Sequence, residues 1–308
     1  MSLPRRAFDT ARIALAAAKQ RQAPYWPTQR IEHAQRARVR AIVRHAYESV
    51  PFYRRTMDQL GLRPADFKTV QDLTRLPLLD SKLVREQVDD FCSRRVGESR
   101  RLGLFTSGTL SHVTKQIYWD HPALLRQLAY AERDRGIVNA LVGRGWGQRQ
   151  LFIFFPNSST MKMRAFWNAR TLSPRGLAER RVVSMDTPLE EVARTIDTFR
   201  PDIVFSFGSY AEAFFRTLAD QGRTLAAPRV WMYGGDGLSP SGRVMIESRF
   251  GVRVYSSYQA VETGRFGFEC ERGDGFHLNV DLCAARLIAD DDSPVATGEP
   301  GEIVISNL

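Results

Sequence analysis

Cysteine is scarce, with three in 308 residues, Cys92, Cys270 and Cys283. An odd number with no C-x-x-C pair argues against a disulfide framework and points to a reducing compartment. Cys270, His277 and Cys283 lie close enough in sequence to raise zinc, but no fourth ligand accompanies them, and partly buried thiols are the plainer reading. Long apolar runs are missing as well: nothing approaches the roughly 18 residues that a membrane helix needs. The stretch Ile13-Ala14-Leu15-Ala16-Ala17-Ala18, bounded by Arg12 and Lys19, is too short for a secretion signal and reads as an amphipathic helix of a cytoplasmic protein. There is no G-x-x-x-x-G-K-[ST] spacing and no G-x-G-x-x-G, so neither a Walker loop nor a dinucleotide fingerprint is present. Acidic residues are the minority charge, 34 against 44 Lys and Arg, for a formal net charge of +10. The excess is uneven: residues 1–60 hold twelve basic and four acidic residues, whereas 259–308 hold three and ten. The N-terminal arginines alternate with a helical stripe of Ile31, Val39, Ile42, Val43, Ala46 and Tyr47, so they form the solvated face of a packed helix. No aromatic platform or zinc-finger spacing accompanies them, and neither nucleic acid nor a membrane is an expected partner.

What is present is a chain that is 43% apolar and 25% charged, the balance of a folded globular protein. Helical periodicity over 29–49 stops at Pro51, a second short helix closes at Gly61, and Asp80 or Ser81 caps a third. Asp120 is expected to cap a helix from Pro122 to about Ile137. Beyond it, short apolar runs at 151–155, 182–185, 203–207, 230–233 and 252–255 read as buried strands. Helical patterns at 188–200, 209–221 and 239–250 separate the last four, the third opening on Ser239 and Pro240. Such alternation predicts an α/β fold, a parallel sheet flanked by helices, with a helical N-terminal lead-in and a small β-barrel-like C-terminal portion. The expected division is a helical lead-in over 1–100, an α/β nucleotide-binding core over 101–275 and the start of a small β subdomain over 276–308.

Three stretches carry chemistry. Thr106-Ser107-Gly108-Thr109-Leu110-Ser111 packs four hydroxyls and a glycine into six residues, a nest of donors suited to a polyphosphate, although alone such a run is more often a solvated turn. Trp231-Met232-Tyr233-Gly234-Gly235-Asp236 runs a strand into paired glycines, where a flat ring can approach the backbone; a tight strand-to-helix turn is the other reading. Tyr258 and Glu262 stand four apart in Tyr258-Gln259-Ala260-Val261-Glu262. In open parallel sheets ligands bind past the carboxyl ends of strands, where the last two stretches fall.

In this order the three stretches resemble the adenylate-forming enzymes, within them the phenylacetate-CoA ligase and coenzyme F390 synthetase (CapK-like) group. Thr106-Ser107-Gly108-Thr109 is similar to their phosphate loop Ser/Thr-Ser-Gly-Thr-Thr-Gly-x-Pro, with departures at Leu110, Ser111 and Val113. Gly234-Gly235-Asp236 resembles "GGE", with Asp236 for glutamate, and the Tyr258 segment resembles Tyr-Gln-Ala-Thr-Glu-Gly, with Val261 in place of the hydroxyl. His45–Tyr53, Pro64-Ala65-Asp66, Leu76–Lys82, Gly275–Asp281 and Gly298–Leu308 match further phrases, so the resemblance runs from about residue 29. It implies the fold of that family's N-terminal domain, with ATP or AMP and Mg²⁺ as cofactors, CoA as an acceptor and a small carboxylic acid as substrate. It gives Thr106, Ser107, Gly108 and Thr109 the β- and γ-phosphates, with Thr106 and Thr109 counted as catalytic alongside Glu262, the metal ligand. Gly234, Gly235, Asp236, Tyr258 and Gln259 receive the adenine. Phe207-Gly208-Ser209, at another strand end, reads either as part of the acyl pocket or as core packing. A family member continues through an Arg-Tyr-x-x-Gly-Asp segment and a domain with a catalytic lysine. The expectation is therefore an incomplete core that does not turn over alone, partnered by a second copy of itself or by a separate C-terminal-domain chain. The rival expectation is a nucleotide-binding or scaffold protein that kept the fold without turnover.

Overall fold

The computed structural model describes residues 2–106, 114–172 and 176–308. Along the chain come α1 (Leu3–Gln20), α2 (Thr28–Ser49), α3 (Pro51–Gln59) and α4 (Ser81–Glu86), then β1 (Arg101–Phe105) and β2 (Gln116–Asp120). After α5 (His121–Tyr130) and α6 (Glu132–Val142), strands and helices alternate: β3 (Gln148–Ile153), α7 (Ser159–Arg170), β4 (Ala178–Val183), α8 (Leu189–Phe199) and β5 (Ile203–Ser206). They continue as α9 (Gly208–Asp220), β6 (Val230–Tyr233), α10 (Pro240–Phe250) and β7 (Arg253–Ala260). The last strands are β8 (Gly264–Glu269), β9 (Phe276–Leu278), β10 (Cys283–Ile288) and β11 (Glu302–Asn307). Two compact units divide these residues: 1–23 with 124–260 and 267–277, and 24–123 with 261–266 and 278–308.

The first unit is built on a sheet with strand order β4-β3-β5-β6-β7, every pairing parallel, and the order continues through β8 and β9. Because the inner strands β5 and β6 are covered on both sides they read as short unbroken apolar runs, which is why the sequence revealed them. One face packs Leu151, Val204, Trp231 and Val254 against Ile196 of α8, Phe214 and Phe215 of α9 and Ile246 of α10. The other carries Ile203, Val230, Met232 and Tyr255 beneath Ile137, Val138 and Val142 of α6. Cys270 belongs to this second layer as ordinary packing. The anticipated start of α10 is present, with Ser239 Oγ accepting from the Gly242 amide at 2.9 Å. Glu212 of α9 braces that cap: its carboxylate accepts from Ser239 N at 3.0 Å and Ser239 Oγ at 2.8 Å, and it pairs with Arg216 at 2.6 Å.

These bonds, led by the Ser239 amide, hold the Glu212 carboxyl at about 2, below its ordinary 4.5. A depressed acid contributes stability that is complete above the ordinary value and is lost as pH falls through the folded one, so the window runs from about 4.5 down to about 2. Glu212→Gln is expected to lose about 1 kcal/mol at neutral pH, discounted for solvent screening near the surface. Urea titrations at pH 7 and pH 2.5 check this: the gap between protein and variant narrows at the lower pH.

The second unit begins with α2, whose Val39 and Val43 are buried with Met57, Leu62 and Phe67, while Ile42 and Tyr47 pack around them. Pro51 both ends this helix and occupies the first turn of α3, since its missing N–H is an orphan there anyway. Asp80 caps α4 by accepting from Lys82 N at 2.9 Å. Strands β1 and β2 form an antiparallel pair, as do β10 and β11. Cys283 is buried, its Sγ donating to Asn279 O at 3.5 Å.

Four elements differ from expectation. The strand expected over 182–185 is β4, Ala178–Val183, an exposed edge strand whose charged residues hid its start. The helix capped by Asp120, which accepts from Ala123 N at 2.6 Å, does not run to Ile137 but breaks at Ala131 into α5 and α6. The break sets Glu132 and Arg133 in buried positions, where Glu132 meets Arg21 at 3.1 Å and Arg133 donates twice to Gln20. Helix α7 had no expectation at all, because its apolar residues do not gather on one stripe. Strand β7 continues through Ala260, so Tyr258 and Gln259 stand on a strand rather than beyond its end.

Candidate functional site

In the first unit the carboxyl ends of β5 and β6 lie beside the middle of β7, with Ser206 opposite Tyr233 and Tyr233 opposite Ser256. The segment leaving β6 is pressed against both neighbours. A Cβ on Gly234 would stand 2.9 Å from Ser257 O and 3.0 Å from Gln259 Nε2. Gly235 has φ +88°, and a Cβ there would meet the Phe207 ring at 2.9 Å. Only glycine permits this approach. The next residue, Asp236, accepts from Gly208 N at 2.5 Å, from Ser209 N at 3.3 Å and from the Ser209 hydroxyl. Its charge thus sits on the first residues of α9, where a helix favours an anion. Tyr258 is 38% exposed, its ring tilted against Phe276 at 5.1 Å.

Sequence reasoning missed the support beneath these strands. Buried Glu269 accepts from Ser256 N at 2.9 Å and pairs with Arg243 at 2.6 Å; Arg243 also reaches Tyr233 Oη at 3.3 Å and Val254 O at 3.1 Å. Burial pushes the Glu269 carboxyl up in spite of that partner. The residues come from α10, β6, β7 and β8, and only a fold brings them together.

In the second unit, Thr106 N donates to Lys115 O and Lys115 N to Thr106 Oγ1, both at 3.0 Å, tying the two ends of the hydroxyl-rich loop. Ser107, Gly108 and Thr109 lie outside the described residues. Lys115 Nζ stands 2.9 Å from Glu262 Oε1 and 3.2 Å from Ser81 Oγ. The main chain before Glu262's side chain is fastened twice: Trp119 Nε1 donates to Val261 O at 2.7 Å, and Asn307 Nδ2 to Glu262 O at 2.8 Å. The Thr263 hydroxyl donates to Gly264 O at 3.2 Å. Among the described residues no group of three His, Cys, Asp or Glu gathers to hold a metal by itself. A magnesium ion in nucleotide chemistry takes one or two carboxylates and completes its shell with phosphate oxygens and water, and Glu262 fits the role of single protein ligand. Lys115 has no assigned place in the sequence motif; its position after the hydroxyl-rich run was the available signal. Among the described residues no helix is long and apolar enough to cross a membrane.

No protein-family profile matches the chain. It is 25% identical to the phenylacetate-coenzyme A ligase of Escherichia coli (strain K12) over 294 residues, 90% of this chain and 63% of that protein. The Thermus thermophilus enzyme of the same name is 24% identical over 302 residues, 92% of this chain and 62% of that protein. The chain therefore spans about three fifths of the curated relatives it matches. Among solved structures, an open conformation of 2-hydroxyisobutyryl-CoA ligase, in complex with 2-HIB-AMP and CoA, superposes with a TM-score of 0.71 at 18% identity, covering 93% of this chain and 67% of that one. The parallel sheet with its helical lead-in is the fold of that ligase structure, and sequence likeness to the phenylacetate-coenzyme A ligases runs along nine tenths of the chain.

Proposed function

We propose that the chain is the core of an ATP-dependent carboxylate ligase of the phenylacetate-CoA ligase-like group, binding ATP and a small carboxylic acid and forming an acyl- or aryl-adenylate that passes its acyl group to CoA. The observation that carries this reading is the packing of Gly234 and Gly235 onto Ser257, Gln259 and Phe207 beside Tyr258. It presents backbone edges and an aromatic ring at the carboxyl ends of parallel strands, the chemistry that recognises a purine.

In the reaction, a carboxylate oxygen attacks the α-phosphorus and pyrophosphate leaves; the CoA thiol then gives its proton to solvent while its sulfur attacks the acyl carbon and AMP leaves. The protein contributes position and charge rather than proton transfer. The main chain at Gly234 and Gly235 offers its edge to the base, Tyr258 stacks on it and Gln259 lies beside it. Asp236 holds α9 in register instead of reaching out, because its oxygens are taken by Gly208 and Ser209. Thr106 is the described residue of the hydroxyl-rich run assigned to the β- and γ-phosphates; Ser107, Gly108 and Thr109, assigned with it, lie outside the described residues. Glu262 would hold a magnesium ion, whose charge would neutralise phosphate oxygens. Lys115, already 2.9 Å from Glu262, supplies a second positive charge.

Tyr258→Ala is expected to weaken AMP by about 1–3 kcal/mol, the usual worth of one base stack. Isothermal calorimetry at millimolar AMP checks it. No heat with the unaltered protein, or equal affinity in the variant, defeats the assignment. The Lys115–Glu262 pair favours a second reading, nucleotide binding without turnover, in which a tethered ammonium stands where a metal would. ATP affinity that is indifferent to Mg²⁺ in the same titrations supports that reading over the first.

A further inference from the structure

The Arg243–Glu269 pair lies within the first unit and touches both strands that frame the paired glycines. Its side chains are largely withdrawn from solvent, 22% and 7% exposed. A buried ion pair is a poor source of net stability, because drawing two charges out of water offsets most of what their attraction contributes. The value of this pair lies in where its hydrogen bonds go. One Glu269 oxygen meets Arg243 at 2.6 Å and the other accepts from Ser256 N at 2.9 Å, while the Glu269 main-chain oxygen accepts from Tyr255 Oη at 3.1 Å. Arg243 donates onward to Val254 O at 3.1 Å and to Tyr233 Oη at 3.3 Å. Three successive residues of β7 and the last residue of β6 are therefore tied to two residues that come from α10 and β8.

The tied positions adjoin the strand-end site directly. Tyr233 immediately precedes Gly234, and its ring lies against the start of α9, where a Cβ on Gly208 would come within 2.8 Å of Cδ2. Ser256 precedes Ser257, whose carbonyl oxygen bounds the space beside Gly234. It also stands two residues before Tyr258 on the same strand, so both side chains belong to one face of β7. A shift of Tyr233 or Ser256 thus changes the gap between the glycine turn and β7, and passes along the strand to Tyr258.

We propose that Arg243 and Glu269 are a positioning pair for the base site: they fix the spacing between the Gly234 turn and β7, and with it the fit of an adenine against Tyr258. This deepens the nucleotide-binding reading and rests on it for the identity of the ligand. Neither residue touches the nucleotide; both act through Tyr233, Val254 and Ser256.

The test compares the unaltered full chain with Arg243→Lys, Glu269→Met and the double variant Arg243→Met/Glu269→Met, by AMP calorimetry, melting temperature and amide hydrogen exchange. Lysine keeps a charge beside Glu269 but cannot serve Glu269, Val254 and Tyr233 together, so AMP affinity is expected to fall by roughly three- to tenfold. Glu269→Met leaves a buried guanidinium uncompensated and lowers the melting temperature; removing both charges in the double variant restores part of that loss. AMP affinity in the double variant nevertheless stays roughly tenfold or more below that of the unaltered protein, the worth of a misplaced base stack. Without ligand, exchange in the double variant quickens at 233–238 and 256–260 and is unchanged in β3 and α8.

Affinity that returns together with the melting temperature in the double variant overturns the proposal, since the pair then serves stability alone. So does exchange that is unchanged at 233–238 and 256–260, or that quickens evenly through the sheet. Arg243→Lys carries the affinity test if the double variant fails to fold, and binding within about twofold of the unaltered protein there is equally fatal. No heat from AMP with the unaltered protein defeats the base-site reading and the proposal with it, whereas heat that the variants keep defeats the proposal alone.

Discussion

Trp231→Ala is expected to cost about 3–5 kcal/mol, the range for deleting a large buried aromatic side chain. Trp231 is fully buried in the centre of the parallel sheet, with Phe215 at 4.9 Å and Phe214 at 5.5 Å from its ring. Its Nε1 donates to Ser206 Oγ at 2.8 Å, and that hydroxyl donates onward to Phe207 O at 2.7 Å. Truncation leaves a cavity between β6 and α9 and removes the donor that steadies the start of the Phe207 turn. Against a total stability of about 5–15 kcal/mol, such a loss leaves a large unfolded fraction at modest urea. Equilibrium urea denaturation measures it, and a change under 1 kcal/mol would mean that the core collapses around the gap.

The second large effect is expected at Gly208, the first residue of α9. A Cβ there would stand 2.6 Å from Gly237 O, 2.7 Å from Gly237 C and 2.8 Å from Tyr233 Cδ2. Two of the three are main-chain atoms, so no side-chain rotation relieves the clash and the 234–238 segment has to move. Overpacking of this kind costs about 1–3 kcal/mol. Moving that segment also shifts Gly235 away from Phe207, so Gly208→Ala should lose AMP affinity by tenfold or more, beyond its effect on melting. Gly136→Ala is the control. It lies within α6 with nothing within 4 Å of the added carbon, and alanine there should be neutral or stabilising by up to about 1 kcal/mol. If the two variants behave alike, the steric account of Gly208 is wrong.

The sequence was most informative where a single element states its own chemistry. Ile203–Ser206 and Val230–Tyr233 announce themselves because strands covered on both faces need unbroken apolar runs, and Ser239-Pro240 announces a helix start because an oxygen acceptor precedes a residue that needs no donor. The paired glycines after Tyr233 were legible as a close approach, although what they approach, Ser257 and Phe207, was not. Helix α7 stayed hidden because a helix whose apolar residues are dispersed produces no periodic stripe. Lys115 with Glu262, and Arg243 with Glu269, stayed hidden for a different reason: each pair joins residues from separate elements, and no spacing rule reaches across a fold.

The fastening of the 261–262 main chain by Trp119 and Asn307 also bears on how the protein emerges from the ribosome. The second unit is discontinuous: its first hundred residues precede an insertion of about 140 residues that belongs to the first unit. Strand β1, strand β2 and Trp119 leave the ribosome early, Glu262 follows only after that insertion, and Asn307 later still. At translation rates of roughly 5–20 residues per second, the early helices wait for seconds to tens of seconds with Val39, Met57 and Phe67 lacking their last packing partner, Leu308. Chaperone demand during synthesis should therefore centre on this segment.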